Sequence, residues 1–198
     1  MRHAGLMTAA TSETIGTTRL QLVPIEPGHA DEMAAVLSDP ALHEFTGGAP
    51  LSPDALRERY RRLAAGAPEP GVTWGNWVIQ DRQSGRLAGY VQATIITGEH
   101  GGQAEVAWVV GTAWQGRGLA TEAARGLIGW LAGHGVATVV AHIHPDHHAS
   151  AAVAAAAGLR PAGGWHDGER RWQRLLPPGR SPGPPGRPGG PAPEPTRD

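Results

Sequence analysis

The stretch Ala104–Ala124 constrains the fold more than any other part of the chain, because a strand pattern changes there into a helix pattern through a glycine-rich loop. Alternation predicts a strand over Ala104–Val110, and apolar residues recurring every four positions predict a helix over Gly118–Ala132. In the loop between them, backbone N–H groups converge at the positive end of the helix dipole, and glycine leaves room for a bulky anion. The sequence therefore predicts an anion-binding site at Gln115–Ala120.

This loop matches neither of two common phosphate-binding motifs. A P-loop needs Gly-Lys-Ser/Thr, and no such triplet follows Gly118. The dinucleotide fingerprint needs a third glycine, which is missing here, and a run of strands precedes the loop. Neither motif therefore explains the loop.

The segments on either side predict the fold class. Short turns separate predicted strands at Thr73–Gln80, Leu87–Ile96 and Ala104–Val110, which implies an antiparallel meander. After the helix, Val136–Ile143 has the pattern of a buried strand, and Ala149–Ala157 that of an alanine-rich helix. We therefore predict an α/β (α+β) fold with a mixed, mostly antiparallel sheet flanked by helices.

Further elements are expected at both ends of this region. Hydrophobic patterning and capping signals predict a strand, two helices and a hairpin around Asp167-Gly168. They are the strand Arg19–Ile25, the helix His29–Ser38, a helix that begins at Ser52-Pro53-Asp54, and the hairpin strands Arg160–Trp165 and Glu169–Leu175.

One domain over residues 18–176 accounts for these elements. Residues 1–17 have no apolar run long enough for a signal peptide, and we expect them to be disordered. The segment 177–198 is dominated by proline and glycine and is predicted to be a disordered tail.

Composition narrows the functional classes. The chain of 198 residues has a net charge of −1, so nucleic acid and anionic membranes are not expected partners. It has no cysteine, which excludes disulfides, thiolate metal sites and a cysteine nucleophile and fits a cytoplasmic protein. No apolar run approaches the roughly 18 residues that a membrane helix needs.

The loop resembles a known signature. Gln115-x-x-Gly118-x-Ala120 is similar to the motif with which GNAT-superfamily acetyltransferases hold the pyrophosphate of coenzyme A. A second block, His144–Ser150 followed by Ala157-Gly158-Leu159, is similar to another conserved block of that superfamily. The Trp74–Trp77 strand and the Trp165–Trp172 hairpin resemble the branch that contains ribosomal-protein alanine and serine N-acetyltransferases.

The resemblance implies a fold detail, a cofactor and its contacts. The strands before and after the Gly118 helix would be parallel and splayed apart, with acetyl-coenzyme A in the split and coenzyme A as product. It implies that the cofactor-binding residues are Val109, Val110, Gln115, Gly116, Arg117, Gly118, Leu119, Ala120, His147 and Ser150. Two positions depart from the pattern: His147 replaces an asparagine, and Ala154 stands where many relatives carry a tyrosine acid.

Acetyl transfer to an amine also predicts catalytic residues. Primary amines are mostly protonated at neutral pH, so a base is useful, and Glu105 matches the carboxylate that several GNAT enzymes use. Expected catalytic contacts further include His144 and Ser150, although Ser150 is equally a candidate helix cap. Trp165 and Trp172 border the acceptor site implied by the resemblance and are predicted to bind substrate.

We therefore expect an N-acetyltransferase that moves the acetyl group to a primary amine, on a protein N-terminus or a small molecule, by direct attack. The resemblance implies that the oxyanion contact would be a backbone N–H of Val109 or Val110. A non-catalytic acyl-coenzyme A sensor is the alternative, and a metal-dependent hydrolase using the His142–His148 cluster is a weaker one. No metal is expected, and the protein would be a monomer or homodimer. The sequence does not indicate which amine is acetylated.

Overall fold

A computed structural model describes residues 11–45, 47–98 and 101–177. Within these ranges the chain forms an eight-stranded sheet with four α-helices, and three short 3-10 turns connect them. The strands are β1 Ile15–Gly16, β2 Leu20–Pro24, β3 Val72–Asp81, β4 Leu87–Ile96, β5 Gly102–Val110, β6 Val136–Ile143, β7 Arg160–His166 and β8 Glu169–Leu175. The helices are α1 Ala30–Val36, α2 Pro53–Ala64, α3 Leu119–Gly133 and α4 His148–Ala156.

The sheet has the order β1-β2-β3-β4-β5-β6-β8-β7. Every neighbouring pair is antiparallel except β5 and β6, which are parallel because α3 connects them as a crossover helix. The predicted fold class, a mixed and mostly antiparallel sheet flanked by helices, is confirmed. No helix in the described ranges is long and apolar enough to cross a membrane.

The parallel pair separates part-way along its length. Its register runs from Gly102 opposite Val136 to Glu105 opposite Val140, and β5 then continues to Val110 without a partner on that side. The splayed pair expected from the resemblance is therefore present. Unpaired backbone groups are left along both inner edges of the gap, and buried groups of this kind need another partner.

The core has two parts, one on each face of the sheet. The larger part lies under α3 and α4, where Leu127, Ile128 and Leu131 pack on strand residues such as Trp77. The smaller part lies under α1 and α2, where Met33 and Leu56 pack with other apolar side chains. Since successive strand residues alternate between faces, the central strands supply both layers. The helices thus cover the sheet on both sides and hold the split between them.

Most predicted elements agree with the structure to within a few residues. The largest shift is at α1, which begins one residue later than expected and ends at Val36, two residues early. The hairpin between β7 and β8 has Asp167 and Gly168 both in the left-handed region, at φ 48° and 82°. This is the backbone of a two-residue primed turn, as the Asp-Gly signal predicted.

The folded domain begins earlier in the chain than the predicted boundary at residue 18. Residues 15–16 form β1, which pairs with β2 through Ile15 opposite Leu22, and Ile15 is only 7% exposed. The prediction of disorder over 1–17 is wrong for these residues, because one buried side chain and a strand pairing hold them on the sheet. Residues 1–10, and 178–198 of the predicted tail, lie outside the described residues. At the other boundary, Leu176 is buried and its N–H donates to the Ala137 carbonyl at 2.8 Å.

A single carboxylate ties the first strands to the start of α3. The Glu122 side chain accepts hydrogen bonds from Thr17 Oγ1 at 2.7 Å, the Arg19 N–H at 2.7 Å and Arg19 Nε at 2.6 Å. Burial acts to raise the pKa of Glu122, but these hydrogen bonds and the Arg19 charge outweigh it and lower that pKa. The folded state therefore favours the ionised carboxylate.

We expect Glu122→Ala to lower the free energy of unfolding by about 2 kcal/mol, because three donors lose a charged acceptor at once. The matched control is Glu58→Ala, whose carboxylate pairs only with exposed arginines on α2 and should cost less than about 0.5 kcal/mol. Urea denaturation at neutral pH measures both values. Equal losses would contradict the anchoring role.

The same comparison has a pH dependence. Since the folded pKa of Glu122 lies below its ordinary value of 4.5, its contribution is fully present above that pH. This contribution is lost as the pH falls through the folded pKa. The difference in the free energy of unfolding between wild type and Glu122→Ala should therefore become smaller in acid.

Candidate active site

The diverging halves of β5 and β6 enclose the main cavity, which has a volume of about 470 Å³. Its walls come from the unpaired end of β5, the loop into α3, the end of β6 and the first turn of α4. Ten of the residues singled out from the sequence line it: Val109, Val110, Gln115, Gly116, Gly118, Leu119, Ala120, His144, His147 and Ser150. The structure thus brings together residues that are up to 41 positions apart in the chain (Val109 to Ser150).

Strand geometry decides which backbone groups face the gap. The Gly111 N–H donates to the Ala88 carbonyl of β4 at 2.9 Å. Since successive residues of a strand direct their backbone groups to opposite sides, Val109 faces β4 and Val110 faces the gap. The Val110 carbonyl accordingly accepts from Gln115 Nε2 at 3.0 Å. Of the two residues considered from sequence, Val110 is the one whose N–H points into the main cavity.

The glycines of the loop have the conformation that the anion site needs. Gly116 and Gly118 have φ of 74° and 75°, in the left-handed region that other residues rarely adopt. The first helical bond of α3 runs from the Glu122 N–H to the Gly118 carbonyl at 3.1 Å, so the preceding N–H groups have no helical acceptor. A Cβ built on Gly116 would meet no atom within 4 Å, which leaves open space in front of the loop.

Arg19 and Trp114 brace the loop from outside. Arg19 Nη1 donates to the Arg117 carbonyl at 3.0 Å, while Arg19 also binds Glu122 on α3. The Arg117 guanidinium lies over the Trp114 ring at 5.3 Å and is exposed. Arg117 is not among the residues that line the main cavity, so its predicted cofactor contact depends on a change of rotamer.

The opposite wall consists of the second sequence block and one unexpected aromatic residue. Phe45 stacks on His147 with centroids 4.4 Å apart and lies 5.4 Å from His144. Burial lowers the pKa of His147 below its ordinary 6.5, against the opposing field of Glu44, so the neutral ring is favoured at neutral pH. Sequence analysis did not single out Phe45, since nothing in its local pattern links it to residues a hundred positions away.

Ser150 does not cap α4. The helix begins at His148 with His147 at the cap position, so Ser150 lies inside the first turn and lines the main cavity. The capping alternative is therefore wrong. Ala154, one turn further on, is fully buried in the core, so α4 packs there through a methyl group where many relatives carry a tyrosine.

Glu105 reaches the main cavity through a histidine. Its Oε1 lies 3.0 Å from Nδ1 of His142, on the neighbouring strand just past the last paired residues. His142 lines the cavity with 16% of its side chain exposed, whereas Glu105 is 55% exposed and is not among the lining residues. The His166 ring packs on His142 with centroids 5.1 Å apart. A carboxylate on one imidazole nitrogen leaves the other nitrogen free to take a proton.

The histidines of this region do not converge on a metal. His142 turns toward Glu105 and His166, while His144 and His147 turn toward Phe45. Within the described ranges, no three metal-ligating side chains come close enough to hold an ion. These contacts disfavour the hydrolase alternative.

The predicted substrate tryptophans lie beside the cavity wall rather than in it. Trp165 is 66% exposed on β7, and Trp172 packs partly buried against the core. Their hairpin instead contributes Glu169 to the lining of the main cavity. A role for either tryptophan in acceptor binding stays a prediction.

Comparison with known proteins gives one family and many structures of the same fold. Residues 19–160 match the model of the acetyltransferase (GNAT) domain. A GNAT-family acetyltransferase from Bacillus anthracis is 18% identical, with a TM-score of 0.70 over 82% of this chain and 98% of its own. RimL, a ribosomal L7/L12 alpha-N-protein acetyltransferase in complex with coenzyme A, is also 18% identical, with a TM-score of 0.70 over 83% and 98%.

An acetyltransferase from Agrobacterium tumefaciens is 25% identical, with a TM-score of 0.63 over 82% of this chain and 94% of its own. No curated protein matches the sequence significantly.

The loop geometry yields a direct test. Gly118→Val forces a β-branched residue to φ 75° and directs its Cβ toward Arg19 Nη2, which would lie 3.6 Å away. The backbone of the loop must then shift, so affinity for coenzyme A should fall at least about tenfold. The control is Gly129→Val, the same substitution at an exposed position of the same helix. Calorimetric titration of both folded variants measures the effect. Unchanged affinity in Gly118→Val would remove the loop from the cofactor site.

Proposed function

The chain belongs to the GNAT acetyltransferase family, and from that premise we propose that it transfers the acetyl group of acetyl-coenzyme A to a primary amine. The observation that carries the proposal is the gap between β5 and β6, with the glycine loop at one end and a carboxylate–histidine pair at the other. The gap suits an extended chain with amide groups, because the strand edges offer it unpaired backbone donors and acceptors.

The residues present fit this cofactor. The N–H groups of Gly116–Ala120 would hold its pyrophosphate at the start of α3, where the helix dipole also favours negative charge. Acetyl-coenzyme A supplies an activated thioester when bound. The Val110 N–H, which points into the gap, would contact the acetyl oxygen as it gains negative charge.

Direct attack by the amine suits the side chains of the main cavity. The amine nitrogen forms a bond to the acetyl carbon, the carbon–sulfur bond breaks, and the electron pair leaves with the sulfur. One proton must leave the amine, and the thiolate is protonated from water, since Ala154 offers no acid. No cysteine is available for an acyl-enzyme, and among the described residues Ser150 makes no hydrogen bond to a base.

Glu105 and His142 would remove the amine proton as one unit. The Glu105 carboxylate accepts from His142 Nδ1 and so orients Nε2 as the proton acceptor. This arrangement modifies the expectation from sequence, in which the Glu105 carboxylate is the base. His144 and Ser150 remain candidates for positioning the amine and the thioester, since both line the main cavity.

A non-catalytic acyl-coenzyme A sensor is the rival proposal. It would be favoured if side chains filled the space next to the cofactor. A second cavity instead adjoins the main cavity at Val109, which favours an enzyme with room for an acceptor. We expect the enzyme to act in the cytoplasm.

A thiol-release screen decides between enzyme and sensor. The full-length chain with acetyl-coenzyme A should release thiol faster with some primary amines or peptides with free N-termini than with none. Peptides with acetylated N-termini provide the matched control. Tight binding of coenzyme A with no amine-dependent release over a broad panel would support the sensor.

We expect Glu105→Gln and His142→Ala each to lower kcat by about 10²–10⁴-fold while coenzyme A affinity is retained. The kcat of the double variant should be little lower than that of the less active single variant, because the two residues act in one proton transfer. The deficit should shrink at high pH, where the amine is already neutral.

His144→Ala and His147→Ala are the controls, with effects mainly on KM or cofactor binding. If one of them loses activity while Glu105→Gln stays near wild type, the base is on the other wall of the main cavity.

A further inference from the structure

A second cavity of about 200 Å³ lies between α1, α2 and β4. We call it the side cavity. Leu42 and Val109 line both this space and the main cavity, so the two adjoin close to the Val110 N–H. Tyr90, the cross-strand partner of Val109, forms part of the same wall. The side cavity is therefore adjacent to the place where the thioester would lie.

The side cavity is apolar with two unsatisfied polar atoms. Leu37, Leu56 and Leu63 supply much of its wall. Tyr60 and His43 also line it, and their Oη and Nε2 atoms are buried with no hydrogen-bond partner within the described part of the chain. Tyr60 is only 2% exposed, so bulk water does not solvate its hydroxyl. A buried polar group without a partner is costly, and a ligand hydroxyl, which both donates and accepts, can satisfy either atom.

The two cavities differ in the charged residues that line them. Arg59 lies at the side cavity, and no aspartate or glutamate is among its described lining residues. The main cavity has Glu169 in its wall and Glu105 behind His142. A cationic amine is therefore better matched to the main cavity, while the side cavity suits a neutral group.

Size limits what that neutral group can be. An apolar cavity of about 150 Å³ accepts benzene, so about 200 Å³ accommodates a single ring with one hydroxyl. A polyamine carries positive charge that the side cavity does not match, and a multi-ring sugar amine is too large for it.

We propose that the side cavity is the acceptor subsite and takes a hydroxyl-bearing aromatic ring, so that the enzyme acetylates hydroxyarylalkylamines. The chemistry is shared by a free amine such as tyramine and by a peptide with an N-terminal tyrosine. This inference rests on the proposed function for its catalytic part and on the side cavity alone for its binding part.

Ring binding is tested without catalysis. With the full-length chain saturated with coenzyme A, 4-methylphenol should bind with a Kd below about 10 mM, measured by ligand-observed NMR. Ala34→Phe, which fills the side cavity from α1, should weaken this binding at least tenfold. The control is Ala35→Phe, one residue along the same helix and exposed, with binding within twofold of wild type. Tyr60→Phe keeps the packing and removes only the hydroxyl, so it should weaken 4-methylphenol but not toluene.

Catalysis tests the substrate class. The kcat/KM ratio of tyramine over ethylamine should exceed ten in wild type and fall at least tenfold in Ala34→Phe, mainly through KM. Tyr60→Phe should reduce the preference for tyramine over phenethylamine. Comparison of tyramine with Tyr-Gly-Gly and Gly-Gly-Gly amides distinguishes a free amine from a peptide acceptor.

Each outcome bears on a different claim. No binding of 4-methylphenol to folded wild type, or binding unaffected by Ala34→Phe, would overturn the subsite. Ring binding lost in Ala34→Phe together with no acetylation of any amine would support the subsite and overturn the proposed function. Acetylation of amines with no preference for the hydroxylated ring would support the function and overturn the substrate class.

Discussion

The separation of β5 from β6 is the constraint on which the rest of the site depends. Pairing stops at Glu105 and Val140, although both strands continue. If the ladder closed, the backbone groups of Val110 would bond to a neighbouring strand and no cavity would form. The open ladder instead leaves donors and acceptors for an extended ligand, and it places the loop, β6 and α4 around one space.

Keeping the gap open requires that both walls be fixed independently. The loop wall is held by Arg19 and Glu122, which connect β2 to the first turn of α3, and by Gln115 on the Val110 carbonyl. The opposite wall is held by α4, whose Ala154 is fully buried in the core. Arg19 and Glu122 hold the loop from outside the cavity. The N–H groups of the loop therefore stay oriented toward an anion even when no cofactor touches them. Such preorganisation is what electrostatic stabilisation in an active site requires.

Charge and polarity change across the adjoining cavities. Carboxylates lie at the end of the gap near β6 and the hairpin. The described lining of the side cavity is apolar apart from one arginine and a few polar side chains, and two of its polar atoms have no hydrogen-bond partner among the described residues. An amine acceptor must place its nitrogen near a proton acceptor and the rest of its structure elsewhere. In the proposed acceptor site the two environments would divide these tasks, and the non-reacting part of the acceptor would determine selectivity through the side cavity.

The sequence by itself determined the elements, the fold class and the glycine loop before α3, because these depend on local signals. Periodicity located nearly all strands and helices, Asp167-Gly168 located the hairpin, and positive-φ glycines at a helix start are recognisable from Gln115–Ala120. Only the tertiary structure decided the contacts between distant segments. The approach of His142 to Glu105, the stacking of Phe45 on His147 and the side cavity all depend on register and packing across more than 30 residues. The strand at Ile15 also escaped notice, since two residues carry no periodicity, and only pairing with β2 makes them a strand.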